Sequence, residues 1–94
     1  MATLHIEHPI TDYPTWKGAF DRFAEMRTKA GVTGCRIHQP ADDPGYVILQ
    51  LDFPSIEQAK GLQQMLETRV WTSPEQSPAL AGVPRARVLV AAPE

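Results

Sequence analysis

Hydrophobic and polar residues alternate every second position in four stretches of this chain and recur every third to fourth position in two others. In order, the pattern reads strand, helix, strand, then strand, helix, strand. In residues 2–8, Leu4 and Ile6 point one way and Thr3, His5 and Glu7 the other, and Pro9 is expected to end the strand. Asp12 is placed to cap a helix, with Pro14 in the first turn, where a missing N–H costs little. Trp16, Phe20, Phe23, Met26 and Ala30 then form one apolar stripe, which predicts a single continuous helix. Lys17, Asp21, Arg22, Glu25 and Lys29 lie mostly off that stripe. Arg27 and Lys29 sit in the last turn, where cations suit the helix dipole, and Gly31 follows as the C′ residue.

A second strand is expected over residues 33–39, with Cys35 and Ile37 alternating with Arg36 and His38. Pro40-Ala41-Asp42-Asp43-Pro44-Gly45 reverses the chain, its aspartates reading as solvated turn residues. Residues 46–53 give the clearest alternation: Val47, Leu49, Leu51 and Phe53 on one face, Tyr46, Ile48, Gln50 and Asp52 on the other. Ser55 and Gln58 form a capping box for a helix running to about Glu67, with Ile56, Ala59, Leu62, Met65 and Leu66 inward. Gly61 inside it either permits close packing or weakens the helix. Residues 68–84 are less regular, with Ser73-Pro74 starting a short helical turn. The last strand, 85–92, puts Val88 and Val90 on one face and Arg85, Arg87 and Leu89 on the other.

This layout is the split βαβ, or ferredoxin-like, arrangement: an α+β fold with a four-stranded antiparallel sheet and its helices on one face. The apolar parity should meet the helices: Leu4, Ile6, Cys35, Ile37, Val47, Leu49, Leu51, Phe53, Val88 and Val90. The other parity mixes Tyr46, Ile48 and Leu89 with His5, Glu7, Arg36, His38, Asp52 and Arg87. That mixture suits a sheet-on-sheet homodimer with paired charges, such as Glu7 with Arg87 on neighbouring strands.

Composition sharpens this picture. A chain of 94 residues makes one domain, 1–94, with a core thin enough for association to add useful burial. A formal net charge of −2 argues against a nucleic-acid surface, which would carry a basic patch. An RNA-recognition module shares the topology, but it needs aromatics on the open face, and Tyr46 is the one residue placed there. The single cysteine, Cys35, excludes an internal disulfide and reads as a buried apolar thiol. No stretch reads as a signal peptide or a membrane span, so the expected location is the cytoplasm.

Four stretches carry a family likeness. His8-Pro9-Ile10-Thr11-Asp12-Tyr13-Pro14-Thr15-Trp16 leads a strand end into a helix bearing Tyr and Trp, and Arg27 to Gly31 closes that helix. Phe53-Pro54-Ser55-Ile56-Glu57-Gln58-Ala59 joins an aromatic strand end to a capped helix, and Trp71-Thr72-Ser73-Pro74-Glu75 precedes the final strand. In their order and spacing, which cover nearly the whole chain, these stretches resemble the dimeric α/β-barrel superfamily of antibiotic-biosynthesis-monooxygenase-like and polyketide-cyclase-like small proteins. The resemblance implies a homodimer with its two sheets facing each other. It also implies a ligand site inside each subunit, between sheet and helices, and chemistry that needs no bound metal or flavin. The haem-degrading branch of that superfamily uses an asparagine on the first strand and a late histidine. This chain has no asparagine and no histidine after His38, so haem degradation is not implied.

Among the histidines, His8 ends its strand on the helix side and is the candidate proton acceptor for an acidic phenol or enol; a hydrogen-bonded strand histidine is the plainer reading. Tyr13 and Arg27 are candidate hydrogen-bond partners in the same chemistry, Arg27 towards an anionic or carbonyl-bearing group, against a plainer reading of Arg27 as a solvated helix-end cation. Trp16, Phe20, Phe53, Met65 and Trp71 are the candidate ligand walls, although aromatics at helical spacing also simply fill cores. His5-Ile6-Glu7-His8 lacks the geometry of a metal site, and no nucleophile motif or phosphate loop occurs. Two functions remain: a cofactor-independent monooxygenase or cyclase for an aromatic or polyketide-like substrate, or a non-catalytic homodimeric ligand carrier or accessory protein. A cavity between helices and sheet with converging polar groups would favour the first.

Overall fold

The computed structural model describes residues 1–93. The strands are β1 (Ala2–Pro9), β2 (Gly34–His38), β3 (Tyr46–Phe53) and β4 (Arg85–Leu89). The helices are α1 (Tyr13–Arg22), α2 (Ala24–Lys29) and α3 (Ile56–Met65), the last continued by a π-helical turn over Leu66–Val70. The four strands pair antiparallel in the order β2-β3-β1-β4. This is the ferredoxin-like βαββαβ topology that the alternation predicts.

Strict period two on β1 and β3 sets the core. Leu4 pairs with Leu51, Ile6 with Leu49 and His8 with Val47, all on the buried face. Leu4, Val47 and Phe53 are 0% exposed and Leu51 is 2% exposed. Burying each of these side chains contributes on the order of 1.5–3 kcal/mol. Trp16 and Ala19 of α1 and Ala59 and Leu62 of α3 close the core from the helix side. The caps form as expected: Asp12 Oδ2 accepts from Thr15 N–H at 2.9 Å, and Ser55 Oγ accepts from Gln58 N–H at 3.2 Å. Gly31 adopts φ +102°, the left-handed C′ conformation.

The structure corrects several expectations. The first helix is two helices, because Phe23 leaves helical geometry (φ −97°, ψ 11°) and its N–H bonds back to Phe20 O at 3.1 Å. The break turns Phe23, Met26 and Arg27 towards the sheet. Cys35 is exposed, because β2 is an edge strand that the helices do not cover fully. Ile56, in the first turn of α3, is 44% exposed, because α3 buries Ala59 and Leu62 in its middle. Strand β4 stops at Leu89, which leaves Val90 59% exposed. Gly61 faces open space, so close packing is not its role. Glu7 lies opposite Arg85, and Arg87 lies opposite His5, because β1 and β4 pair two residues away from the expected register.

Candidate functional site

The helix break, the π turn and the loop before β4 surround one cavity of about 80 Å³ above the sheet. That is several times the space a single water needs. Ile6, Leu49 and Leu51 floor it. Trp16, Phe20, Phe23 and Met26 wall it from α1 and α2, and Leu62, Leu66, Val70 and Trp71 from α3 and the π turn. The segment Gln76–Leu80 lines a further side, and the cavity stays open to solvent. That segment is stitched to the end of β1: Thr11 N–H bonds to Ala79 O at 2.9 Å, Ala81 N–H to Pro9 O at 3.2 Å, and Leu80 bridges Ile10.

Polar groups converge on this apolar chamber. His8 is the one buried polar residue of the described chain, at 3% exposure. Its Nδ1 lies 3.0 Å from the Pro9 carbonyl. A carbonyl can only accept, so Nδ1 carries the proton and Nε2 keeps its lone pair. Nε2 has no hydrogen-bond partner, and because no buried side-chain nitrogen or oxygen among the described residues lacks one, this atom is not fully sealed; His8 itself lines the cavity. Burial lowers the imidazole pKa, with the Pro9 bond opposing, so the ring is a neutral base at pH 7.

Arg27 is half-buried. Its Nη1 donates to Phe20 O at 2.5 Å, taking up a carbonyl at the break between α1 and α2, and its guanidinium lies 3.6 Å from the Phe20 ring centroid. Desolvation lowers its pKa, yet at pH 7 it stays charged. Trp16 stacks on Phe20 at 5.0 Å and meets His8 edge-on at 6.3 Å. An aromatic wall therefore runs from the base to the cation. Among the described residues, no group of three or more His, Cys, Asp or Glu could hold a metal ion.

Of the candidates read from sequence, His8, Trp16, Phe20, Arg27 and Trp71 are brought together around this cavity. Tyr13, Phe53 and Met65 do not line it. Tyr13 packs on Trp16 at 5.8 Å, Phe53 is sealed in the core, and Met65 packs against the core beside it. Leu66, Val70, Gln76 and Ser77 line the cavity without having been singled out. Trp71 N–H bonds to Leu66 O at 2.8 Å, the wider π spacing, and this turn lets Leu66, Val70 and Trp71 share the chamber. No local sequence signal marks such a turn.

No protein-family model matches the chain, and no curated protein matches it by sequence. Solved structures do match its fold. A provisionally named antibiotic biosynthesis monooxygenase from Nitrosomonas europaea is 18% identical over 97% of this chain and 98% of its own, with a TM-score of 0.67. SnoaB, a cofactor-independent oxygenase from Streptomyces nogalater, is 9% identical over 99% of this chain and 94% of its own, with a TM-score of 0.70. A monooxygenase of Streptomyces coelicolor in complex with nanaomycin D is 14% identical over 99% of this chain and 88% of its own, with a TM-score of 0.65. At such identities the likeness is one of fold, and the chain shares the fold of these antibiotic biosynthesis monooxygenase and oxygenase structures.

Proposed function

We propose that this chain is a cofactor-independent monooxygenase or cyclase that acts on an aromatic or polyketide-like molecule in the cavity between sheet and helices. The observation that carries the proposal is His8: a buried imidazole that lines an apolar cavity, with Nδ1–H tied to Pro9 O and the Nε2 lone pair left without a partner. Such a group removes a proton from an acidic C–H or O–H. The enolate or phenolate left behind is electron-rich, and Arg27 N–H groups stabilise its oxygen in a site poor in water. For oxygenation, that anion passes an electron to O2; peroxide formation and collapse then yield a quinone and one water. For cyclisation, the same enolate carbon attacks a carbonyl of its own chain. Tyr13 supports the wall through Trp16, and Phe53 and Met65 back the core behind it.

The open sheet face belongs to the same proposal. Most of its polar side chains bond one another, while His38 and Arg87 have no side-chain partner among the described residues. Thr3 donates to Asp52 at 2.8 Å, Arg36 bonds Asp52 at 2.7 Å and Gln50 at 3.3 Å, Gln50 meets His5 at 3.1 Å, and Glu7 bonds His5 at 2.9 Å and Tyr46 at 2.8 Å. A second copy covers the paired part of this face at low desolvation cost, with Ile48 and Leu89 supplying apolar contact and Arg87 left at a wet rim or paired across the interface.

The test is oxygen uptake and quinone formation with anthrone-type and quinol substrates, comparing the intact chain with His8→Ala. The expected result is turnover that falls by at least about a hundredfold in the variant. Unchanged rates in His8→Ala would remove His8 from the scheme. Ligand binding without turnover in the intact chain would make it a carrier.

A further inference from the structure

Arg27 is electrostatically anomalous. Of the nine lysines and arginines, only Lys17 and Arg27 are not exposed. Lys17 has its counter-ion, Asp21, at 2.6 Å. Arg27 has no carboxylate within ion-pair distance among the described residues, and Phe20 O is its one side-chain hydrogen-bond acceptor. A guanidinium has five N–H donors, so most of its donor capacity is left over. The cavity it lines contains no aspartate or glutamate. Partly desolvating a cation without an ion-pair partner costs free energy, and a ligand of opposite charge recovers part of that cost. The guanidinium carbon lies 3.6 Å from the Phe20 ring centroid, which places the charge beside the aromatic wall.

Resting on the ligand site proposed above, we infer that its occupant is an anion: a planar aromatic molecule carrying a carboxylate or an equivalent oxyanion, with the ring against Trp16, Phe20 and Trp71 and the charge on Arg27. Fork-shaped guanidinium donors match a carboxylate in shape as well as in sign. His8 then lies at the other end of the wall formed by Trp16 and Phe20.

The experiment compares 2-naphthoate with its neutral near-isostere 2-naphthamide by titration calorimetry. Occupancy of the cavity is followed in parallel through the two indole N–H signals by NMR, since both tryptophans line it. Expected is at least a tenfold tighter binding of the acid, weakened by added salt, with both indole signals moving. In Arg27→Gln the preference should collapse towards parity. Arg27→Lys should keep part of it, and Arg22→Gln, an exposed cation off the cavity, should keep all of it. Equal binding of acid and amide by the intact chain would overturn the inference while leaving the ligand site in place, and this comparison needs no variant to fold. A preference that survives in Arg27→Gln would also overturn it. If neither probe moves the indole signals, both the inference and the ligand site fall. Acid-selective binding by a chain that turns over neither anthrones nor quinols would sustain the inference and exclude those two substrate types.

Discussion

At the scale of single residues, His8 couples the site to folding. Burial lowers its pKa below the ordinary value of 6.5. Between the lowered folded value and about 6.5, the unfolded chain binds more protons than the folded one. Stability therefore falls as pH drops through about 6.5 towards the folded pKa and is unaffected by this group above that window. Denaturant midpoints measured from pH 7.5 to pH 5 should decline in the intact chain, and His8→Gln should flatten that part of the profile. The sign for activity agrees: a base must be unprotonated, so turnover should rise with pH through the lowered pKa and be level near pH 7. Elsewhere on the sheet, Glu7 is held below the usual carboxylate range by its bond to His5 and then by Tyr46, so it remains an acceptor for both at pH 7. The position of His8 on the helix side could be read from the parity of β1, but its tautomer depends on the Pro9 carbonyl, which only the folded backbone places beside it.

At the scale of elements, local chemistry fixes where helices begin and tertiary packing fixes where they bend. The Asp12 carboxylate caps α1 through Thr15 N–H, which also holds its own pKa low. Asp12→Ala should lower the denaturant midpoint of unfolding. Gly31 is a sharper test of the C-terminal end. Its φ of +102° disfavours any side chain, and an added Cβ would sit 2.6 Å from the Gln58 amide. Gly31→Ala should therefore destabilise by about 1–2 kcal/mol, measured the same way, while Gly61→Ala, with nothing in reach, should stabilise by up to about 1 kcal/mol. The break at Phe23 and the π turn at Leu66–Val70 have no comparable signal in sequence. The stripe from Trp16 to Ala30 fits one helix as well as two. In the two-helix form Phe20, Phe23 and Arg27 line one cavity with Leu49 and Leu51 of β3, residues far away in the chain.

At the scale of the whole molecule, the sheet has one face under helices and one without. The uncovered face carries Ile48 and Leu89 among hydrogen-bonded polar groups, and Leu89 is 37% exposed. With a second copy seated there, Ile48→Lys should shift the sedimentation coefficient to that of a monomer at micromolar concentration with the fold intact by circular dichroism. A wild-type chain that sediments as a monomer would defeat the dimer. Among the described residues, no helix is long and apolar enough to cross a membrane.

The sequence by itself determined the order of strands and helices, their caps and turns, and which side of β1 and β3 is buried. Periods of 2 and 3.6 residues and capping are local properties, carried by neighbours a few positions apart. From these follow the fold and the helix-side placement of His8, Trp16, Phe20 and Arg27. Only the tertiary structure decided the pairing of Glu7 with Arg85, the exposure of Cys35 on an edge strand, and the recruitment of Leu66, Gln76 and Ser77 to the cavity in place of Tyr13, Phe53 and Met65. Register, edge position and the lining of a cavity depend on which distant segments pack together, and that free energy is shared across the whole core.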